Sequence, residues 1–267
     1  MRKDEPLPWQ NIAASDPAVS PAPPACPPRT RTSDRHRLFW RRSKGWDAHV
    51  RDLEQLADTP GFLRLRQEII ALARLNPDDR ALDIGAGTGL LTLAAAPQVR
   101  HVCALDISLA MCRHLEATLV RDAITNVDVV AGEATDLPLA DGSVEVVLSN
   151  YCFHHLSDAD KRRALNEVGR VLRPGGYLVI GDMMFRVGIA DARGRAVIAH
   201  FAGKMLRRGP MGVVRLLKNG LRVLSGRGEH PAGVDWWRRA LEDAGFAEVA
   251  VRTLDHEGGI AFARWNG

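Results

Sequence analysis

Three observations predict an α/β fold built on a mainly parallel sheet. From residue 80 onward, short apolar runs alternate with amphipathic helical stretches, the pattern of strand–helix–strand units. The runs RALDI, HVCALDI, NVDVVAG, SVEVVLSN and GYLVIGDM are almost continuously apolar, as strands covered on both faces must be. A stretch almost bare of side chains, LDIGAGTGLL at residues 82–91, follows the first of them. That is where an open α/β sheet binds its ligand.

Each element has a local reason. TGLLTLAAA reads as a helix ended by Pro97, and SLAMCRHLEATLVRD as a helix capped by Ser108. SDADKRRALNEVGRVL is capped by Ser157 or Asp158 and stops before Pro174; Arg173-Pro174-Gly175-Gly176 reads as a turn. WWRRALEDAG is closed by Gly245. FAEVAVRT and GGIAFARW, joined by a short turn, form an antiparallel hairpin. Upstream, GWDAHVRDLEQLA and GFLRLRQEIIALARL read as helices. Leu63, Ile69, Ile70, Leu72 and Ala73 give the second a helical apolar stripe.

The composition narrows the class. At 267 residues the chain fits a single α/β domain with additions. No apolar run reaches the length of a membrane-spanning helix. The N-terminus lacks the apolar core of a signal peptide, so a cytoplasmic location is expected. Cys26, Cys103, Cys112 and Cys152 show no metal-type spacing, and no metal is expected. Half of residues 17–28 are proline, so residues 1–35 are expected to be a disordered tail. Positive charge is concentrated in two segments. Residues 29–44 hold seven Lys/Arg against one Asp, and residues 183–227 hold ten against one, so the remainder is acidic. Such clustering suits an anionic partner or docking on the acidic remainder.

The glycines at 85, 87 and 89 bring backbone close to a ligand at the end of the first strand. They fit two chemistries. A dinucleotide fold wants G-x-G-x-x-G, but Leu90 stands where its third glycine would fall. Asp106 ends the second strand, 21 residues beyond Gly85, and an acid there accepts ribose hydroxyls in either chemistry.

The later segments separate the two. LDIGAGTG, the ALDIS strand end, AGEATDLPLADGSVEVVLSN, YCFHHLSD and GRVLRPGGYLVIGD come in an order and spacing that resembles the class I S-adenosylmethionine (SAM)-dependent methyltransferases. The likeness is greatest to the small-molecule type that includes the ubiquinone/menaquinone-biosynthesis enzymes. It covers about residues 45–182, with a looser match beyond. It implies a Rossmann-like seven-stranded, mainly parallel sheet, helices on both faces and a C-terminal antiparallel hairpin. Residues 36–267 would form the methyltransferase domain, with residues 183–230 as a helical lid insertion.

The resemblance also implies roles. Gly85, Ala86, Gly87, Thr88 and Gly89 would form the cofactor loop. Asp83 would face the methionine moiety and Asp106 the ribose, with Ile107 stacking on adenine. Glu133, with Ala134, would receive the adenine amino group, although the family carries Asp there. Asn150 and Tyr151 follow the fourth strand, where the family lines its methyl-transfer cavity. If the acceptor must lose a proton, the candidate bases are Tyr151, His154 and His155, with His200, His230 and Glu229 behind them. The family's enzymes for nucleobases and glutamine often carry Asn-Pro-Pro-Tyr after this strand. The segment Asn150-Tyr151-Cys152-Phe153 has no prolines, which disfavours a nucleic-acid acceptor.

The expectation is therefore methyl transfer from SAM to a small, largely apolar acceptor, with a nucleic-acid enzyme or a SAM-binding protein without catalysis as alternatives. In PMGVVRLLKNGLRVL, Arg215, Lys218 and Arg222 share one helical face opposite Val213, Leu217, Leu221 and Leu224. This basic helix reads as a lid. The alternative is peripheral contact with an anionic membrane surface.

Overall fold

The structure is a computed structural model. It describes residues 60–185, 229–254 and 258–267, with short helical pieces at 194–196, 199 and 202–203. The expected tail, the helix at GWDAHVRDLEQLA, the basic segment 29–44 and the basic helix of the lid lie outside the described residues.

Seven strands form one sheet: β1 (Arg80–Ile84), β2 (His101–Asp106), β3 (Val127–Ala131), β4 (Val144–Asn150), β5 (Leu172–Met183), β6 (Phe246–Thr253) and β7 (Gly258–Trp265). Their order is β3-β2-β1-β4-β5-β7-β6. The first five are mutually parallel, and β7 runs antiparallel to both β5 and β6. The strand order reverses between β1 and β4, so a crevice opens at their carboxyl ends.

The helices are α1 (Pro60–Ala73), α2 (Thr92–Ala95), α3 (Leu109–Arg121), α4 (Asp158–Val171) and α5 (Val234–Asp243). They cover both faces of the sheet, because alternate strand residues are apolar on each side. Ala81, Val102, Val146, Leu148 and Val179 pack with Leu65, Ile69 and Ala73 of α1. On the other face, Leu82, Cys103, Val147 and Leu178 pack with Ala164, Leu165 and Val168 of α4 and Trp237 and Leu241 of α5. The caps follow the expected chemistry. Ser108 Oγ accepts from Met111 N at 3.2 Å, and Ser157 Oγ from Asp160 N at 3.1 Å. Gly245 closes α5 with φ +90°, a left-handed conformation that costs glycine little.

Two elements differ from the local pattern. The helix after the glycine loop does not start at Thr88. Gly89 N donates to Ala86 O at 2.8 Å, the chain turns through Leu91, and only Thr92–Ala95 is α-helical before a 3₁₀ turn at Ala96–Gln98. The loop needs those residues to climb from the sheet edge. After α4, the strand conformation begins directly at Leu172. The turn residues Arg173–Gly176 appear as a bulge: pairing with β4 jumps from Val144–Leu172 to Val146–Tyr177, and Gly175 has φ +83°.

Candidate cofactor and acceptor site

The site grows from the ends of β1, β2 and β4. β1 delivers Asp83, whose side chain is buried under α2 and is only 1% exposed. Thr92 Oγ1 donates to Asp83 Oδ2 at 2.6 Å. Burial raises the Asp83 carboxyl to about 7; the bonds from Thr92 oppose the shift, and the charge of Asp106 adds to it. A carboxylic acid poised near neutrality suits a cation that restores its charge.

The three loop glycines serve different ends. Gly85 (φ +74°) lies against Cys152, whose Sγ would stand 2.5 Å from an added Cβ. Gly89 (φ +99°) lies against Leu115 of α3, again at 2.5 Å. Of the three, Gly87 (φ +55°) alone faces open space among the described residues: an added Cβ would meet nothing of theirs nearer than Gly85 O at 4.0 Å. Gly85 and Gly89 thus seat the loop on the fold, and Gly87 leaves room for a ligand. Ala86 is buried, with its N–H donating to Leu105 O at 3.0 Å, and Thr88 is half-buried in the turn.

β2 ends in Asp106. Its Oδ2 accepts from Gly87 N at 2.8 Å and its Oδ1 from Ser108 N at 2.8 Å. A carboxylate offers about four acceptor sites, so an acid at this position can hold the loop and also accept hydroxyls. Ile107 follows, half-buried. Gly132 N donates to Asp106 O at 2.9 Å, which brings the segment after β3 alongside. There Glu133 is half-buried and bridged to Asp136, and Ala134 is buried.

β4 ends in Asn150, whose Oδ1 is buried with no hydrogen-bond partner among the described residues. An orphaned acceptor of this kind marks a place where a donor is missing. Tyr151 next to it has φ +51°, a costly conformation for a residue with a side chain. It is fixed by Tyr151 N donating to Gly181 O at 2.8 Å. Its ring stacks on Phe62 of α1, with centroids 4.6 Å apart, and meets His154 edge-on at 6.0 Å.

His154 is buried and doubly bound to Asp182, the penultimate residue of β5. Its N–H donates to Oδ2 at 2.9 Å, and its ring Nδ1 lies 2.5 Å from Oδ1. Burial pulls His154 towards neutrality, but the charge and hydrogen bond of Asp182, with the charge of Glu229, outweigh it and raise the pKa. The exposed His155 ring is 3.8 Å away.

The carboxyl edge of the sheet therefore gathers the glycine loop, Asp83, Asp106, Ile107, Glu133, Ala134, Asn150, Tyr151, His154 and His155. The sequence reading had assigned no role to Thr92, Cys152, Lys161 or Asp182. Asp182 carried a signal, since it stands near the end of an apolar strand, much as Asp106 ends β2. Thr92 and Lys161 carried none. Burial pushes the Cys152 thiol up, and burial with the charge of Asp106 pushes Cys112 up to about 12. Both are thiols at neutral pH, not nucleophiles.

Residues 82–180 match the family model described as a methyltransferase domain. This stretch is a SAM-dependent methyltransferase domain. A malonyl-[acyl-carrier protein] O-methyltransferase of Methylococcus capsulatus is 43% identical to the chain over 104 residues, 38% of this chain and 36% of that protein. A demethylmenaquinone methyltransferase of Mycobacterium sp. (strain KMS) is 38% identical over 115 residues, 43% of this chain and 46% of that protein. The chain thus spans less than half the length of either relative. A SAM-dependent methyltransferase from Aquifex aeolicus shares the fold, with a TM-score of 0.58 at 19% identity, covering 82% of this chain and 98% of that one. The matched methyltransferase segment contains every site residue from the glycine loop to His155, but neither Asp182 nor the residues after it.

Proposed function

We propose that the chain binds SAM at Gly85–Gly89 and transfers its methyl group to a small, largely apolar acceptor in the cytoplasm. The observation that carries this reading is the pairing of an open position at Gly87 with buried, ligand-poor polar groups around it. Among the described residues Asp83 is held by the side chain and backbone of Thr92, Asn150 Oδ1 has no partner, and both suit an ammonium-bearing amino-acid moiety. Asp106 suits the ribose, and Ile107, Glu133 and Ala134 flank it on the adenine side.

Bound SAM supplies a methyl group on a sulfonium, a good leaving group. The chain's own part is orientation and exclusion of water. The Phe62–Tyr151 stack gives an apolar wall beside the loop. His154 has Nδ1 committed to Asp182, so Nε2 is its remaining ring nitrogen on the acceptor side of the site; Tyr151 and His155 stand beside it. The lid reading draws support from its ends. Met184 and Phe185 are buried where β5 finishes, and His230 N donates to His154 O at 2.6 Å. The intervening segment therefore leaves and returns at the edge that carries the site. The relatives named for demethylmenaquinone and malonyl-[acyl-carrier protein] support an acceptor other than nucleic acid.

Isothermal titration with SAM and with S-adenosylhomocysteine tests the first half. Both should bind, and Asp106→Ala should weaken both ten- to hundredfold, the loss of ~1.5–3 kcal/mol of charge-assisted hydrogen bonding. Unchanged affinity in a folded Asp106→Ala protein removes Asp106 from the site. Incubation of methyl-labelled SAM with a cell extract tests the second half. Label should enter a small organic-soluble product, and label in nucleic acid would overturn the acceptor class.

A further inference from the structure

Three features beside the cofactor loop remain without a role: a buried lysine, an exposed Glu229, and a carboxylate behind His154. They converge on one place. Among the described residues, His154, His155 and Glu229 each offer a ligand atom, and these atoms lie within 4.8 Å of one another. We propose that these three residues bind one divalent transition-metal ion of the zinc type on the acceptor side of the site.

The donor set fits. Two imidazole nitrogens and one carboxylate oxygen are a ligand set of catalytic zinc, which keeps a fourth position open. His154 is buried while His155 and Glu229 are exposed, so the open position faces outward, where an acceptor arrives. Tetrahedral ligands at about 2.0–2.1 Å from the ion stand roughly 3.4 Å apart. Metal binding therefore requires the exposed side chains of His155 and Glu229 to rotate inward from their 4.8 Å spread.

The support behind the ligands also fits. A metal-bound histidine usually donates its other ring N–H to a carboxylate, which fixes the tautomer. Asp182 is fully buried and holds His154 Nδ1 at 2.5 Å, leaving Nε2 to ligate. Glu229 is far away in sequence, yet its neighbour His230 is clamped at both backbone groups. His230 N donates to His154 O at 2.6 Å, and Lys161 Nζ donates to His230 O at 2.6 Å. Lys161 is fully buried, paired with Asp158 at 2.9 Å and placed 5.3 Å over the Trp236 ring. A lysine is seldom buried without a structural task; here it ties the Glu229 segment to the histidines.

Such an ion would act as a Lewis acid. An acceptor hydroxyl in the open position would lose its proton to water more readily, and the oxygen would attack the methyl carbon as the sulfonium C–S bond breaks, leaving the thioether. This role rests on the methyltransferase reading; the binding site does not.

The test uses the full chain, stripped with a chelator and titrated with Zn²⁺ alone. The wild type should bind one equivalent, and His155→Ala and Glu229→Gln, both at exposed positions, should each weaken binding at least tenfold. Asp182→Asn should weaken it by roughly tenfold through the second ligand sphere. Co²⁺ should give visible bands without thiolate charge transfer. Failure to bind Zn²⁺, thiolate ligation by the cysteines, or affinity unchanged in both exposed variants would overturn the proposal. Titration of the same samples with S-adenosylhomocysteine separates the two readings. A chain that binds the nucleoside and no zinc loses the metal site alone, and one that binds zinc and no nucleoside loses the cofactor reading alone.

Discussion

On the proposed reading, Asp83 should make cofactor binding depend on pH in a way that its neighbours do not. Burial raises its carboxyl to about 7 in the ligand-free protein, so it is half ionised at pH 7 and only about a tenth ionised at pH 6. A bound ammonium favours the carboxylate, so binding expels the proton. The sign is then fixed: affinity rises with pH and levels off above about 8. Between pH 8 and pH 6 it should fall about tenfold, or ~1.4 kcal/mol. The ligand's own α-amino group titrates nearby, at about 7.7–8.0, so the comparison must be with Asp83→Asn. That variant keeps an oxygen for Thr92 Oγ1 and lacks the titration. Calorimetry in buffers of different ionisation heat should show the wild type releasing about 0.9 more protons than Asp83→Asn at pH 6, and about 0.1 more at pH 8. Stability gives a second readout of opposite sign. The folded carboxyl binds a proton between pH 4 and 7 that the unfolded chain has released. The ligand-free wild type should therefore lose stability relative to Asp83→Asn as pH rises through that window, by an amount on the order of a few kcal/mol. Equal proton release by the two proteins at pH 6 would refute the reasoning.

The remaining predictions concern the loop and the lid. Gly85→Ala should lower the unfolding midpoint in urea by the equivalent of ~2–4 kcal/mol, because its Cβ would press on Cys152 Sγ at 2.5 Å with φ at +74°. Gly87→Val has open space and should cost only ~1–2 kcal/mol of backbone strain, yet S-adenosylhomocysteine binding should fall more than a hundredfold; normal binding would place the ligand elsewhere. For the basic segment expected to form a helix at 210–224, sedimentation with anionic and neutral vesicles separates the two proposed uses. No binding to either supports a lid over a soluble acceptor. Binding to anionic vesicles alone, lost on Arg215/Lys218/Arg222→Glu, would support the membrane contact at ~1 kcal/mol per well-placed cation.

The sequence alone determined the strands, the hairpin and the position of the glycine loop. RALDI became β1 at Arg80–Ile84, FAEVAVRT became β6 and GGIAFARW became β7. These assignments depend on an apolar pattern and on turn residues a few positions away, and such local terms are written along the chain. The ends of strands were equally legible, which is why Asp106 could be picked out. The tertiary structure decided what cannot be read locally. TGLLTLAAA has the same apolar pattern whether helix or turn, and the bond from Gly89 N to Ala86 O delayed the helix to Thr92. Three glycines looked alike until Cys152, Leu115 and open space were found opposite them. Asp83, Asp106 and Asp182 all stand at or near strand ends, yet one is buried under Thr92, one holds Gly87 N and one holds His154. Glu229 meets His154 only because Lys161 and the His154 carbonyl hold His230. Desolvation, and hydrogen bonds between residues distant in the chain, depend on which surfaces the fold presses together. A pattern of residue types along the chain carries no record of that.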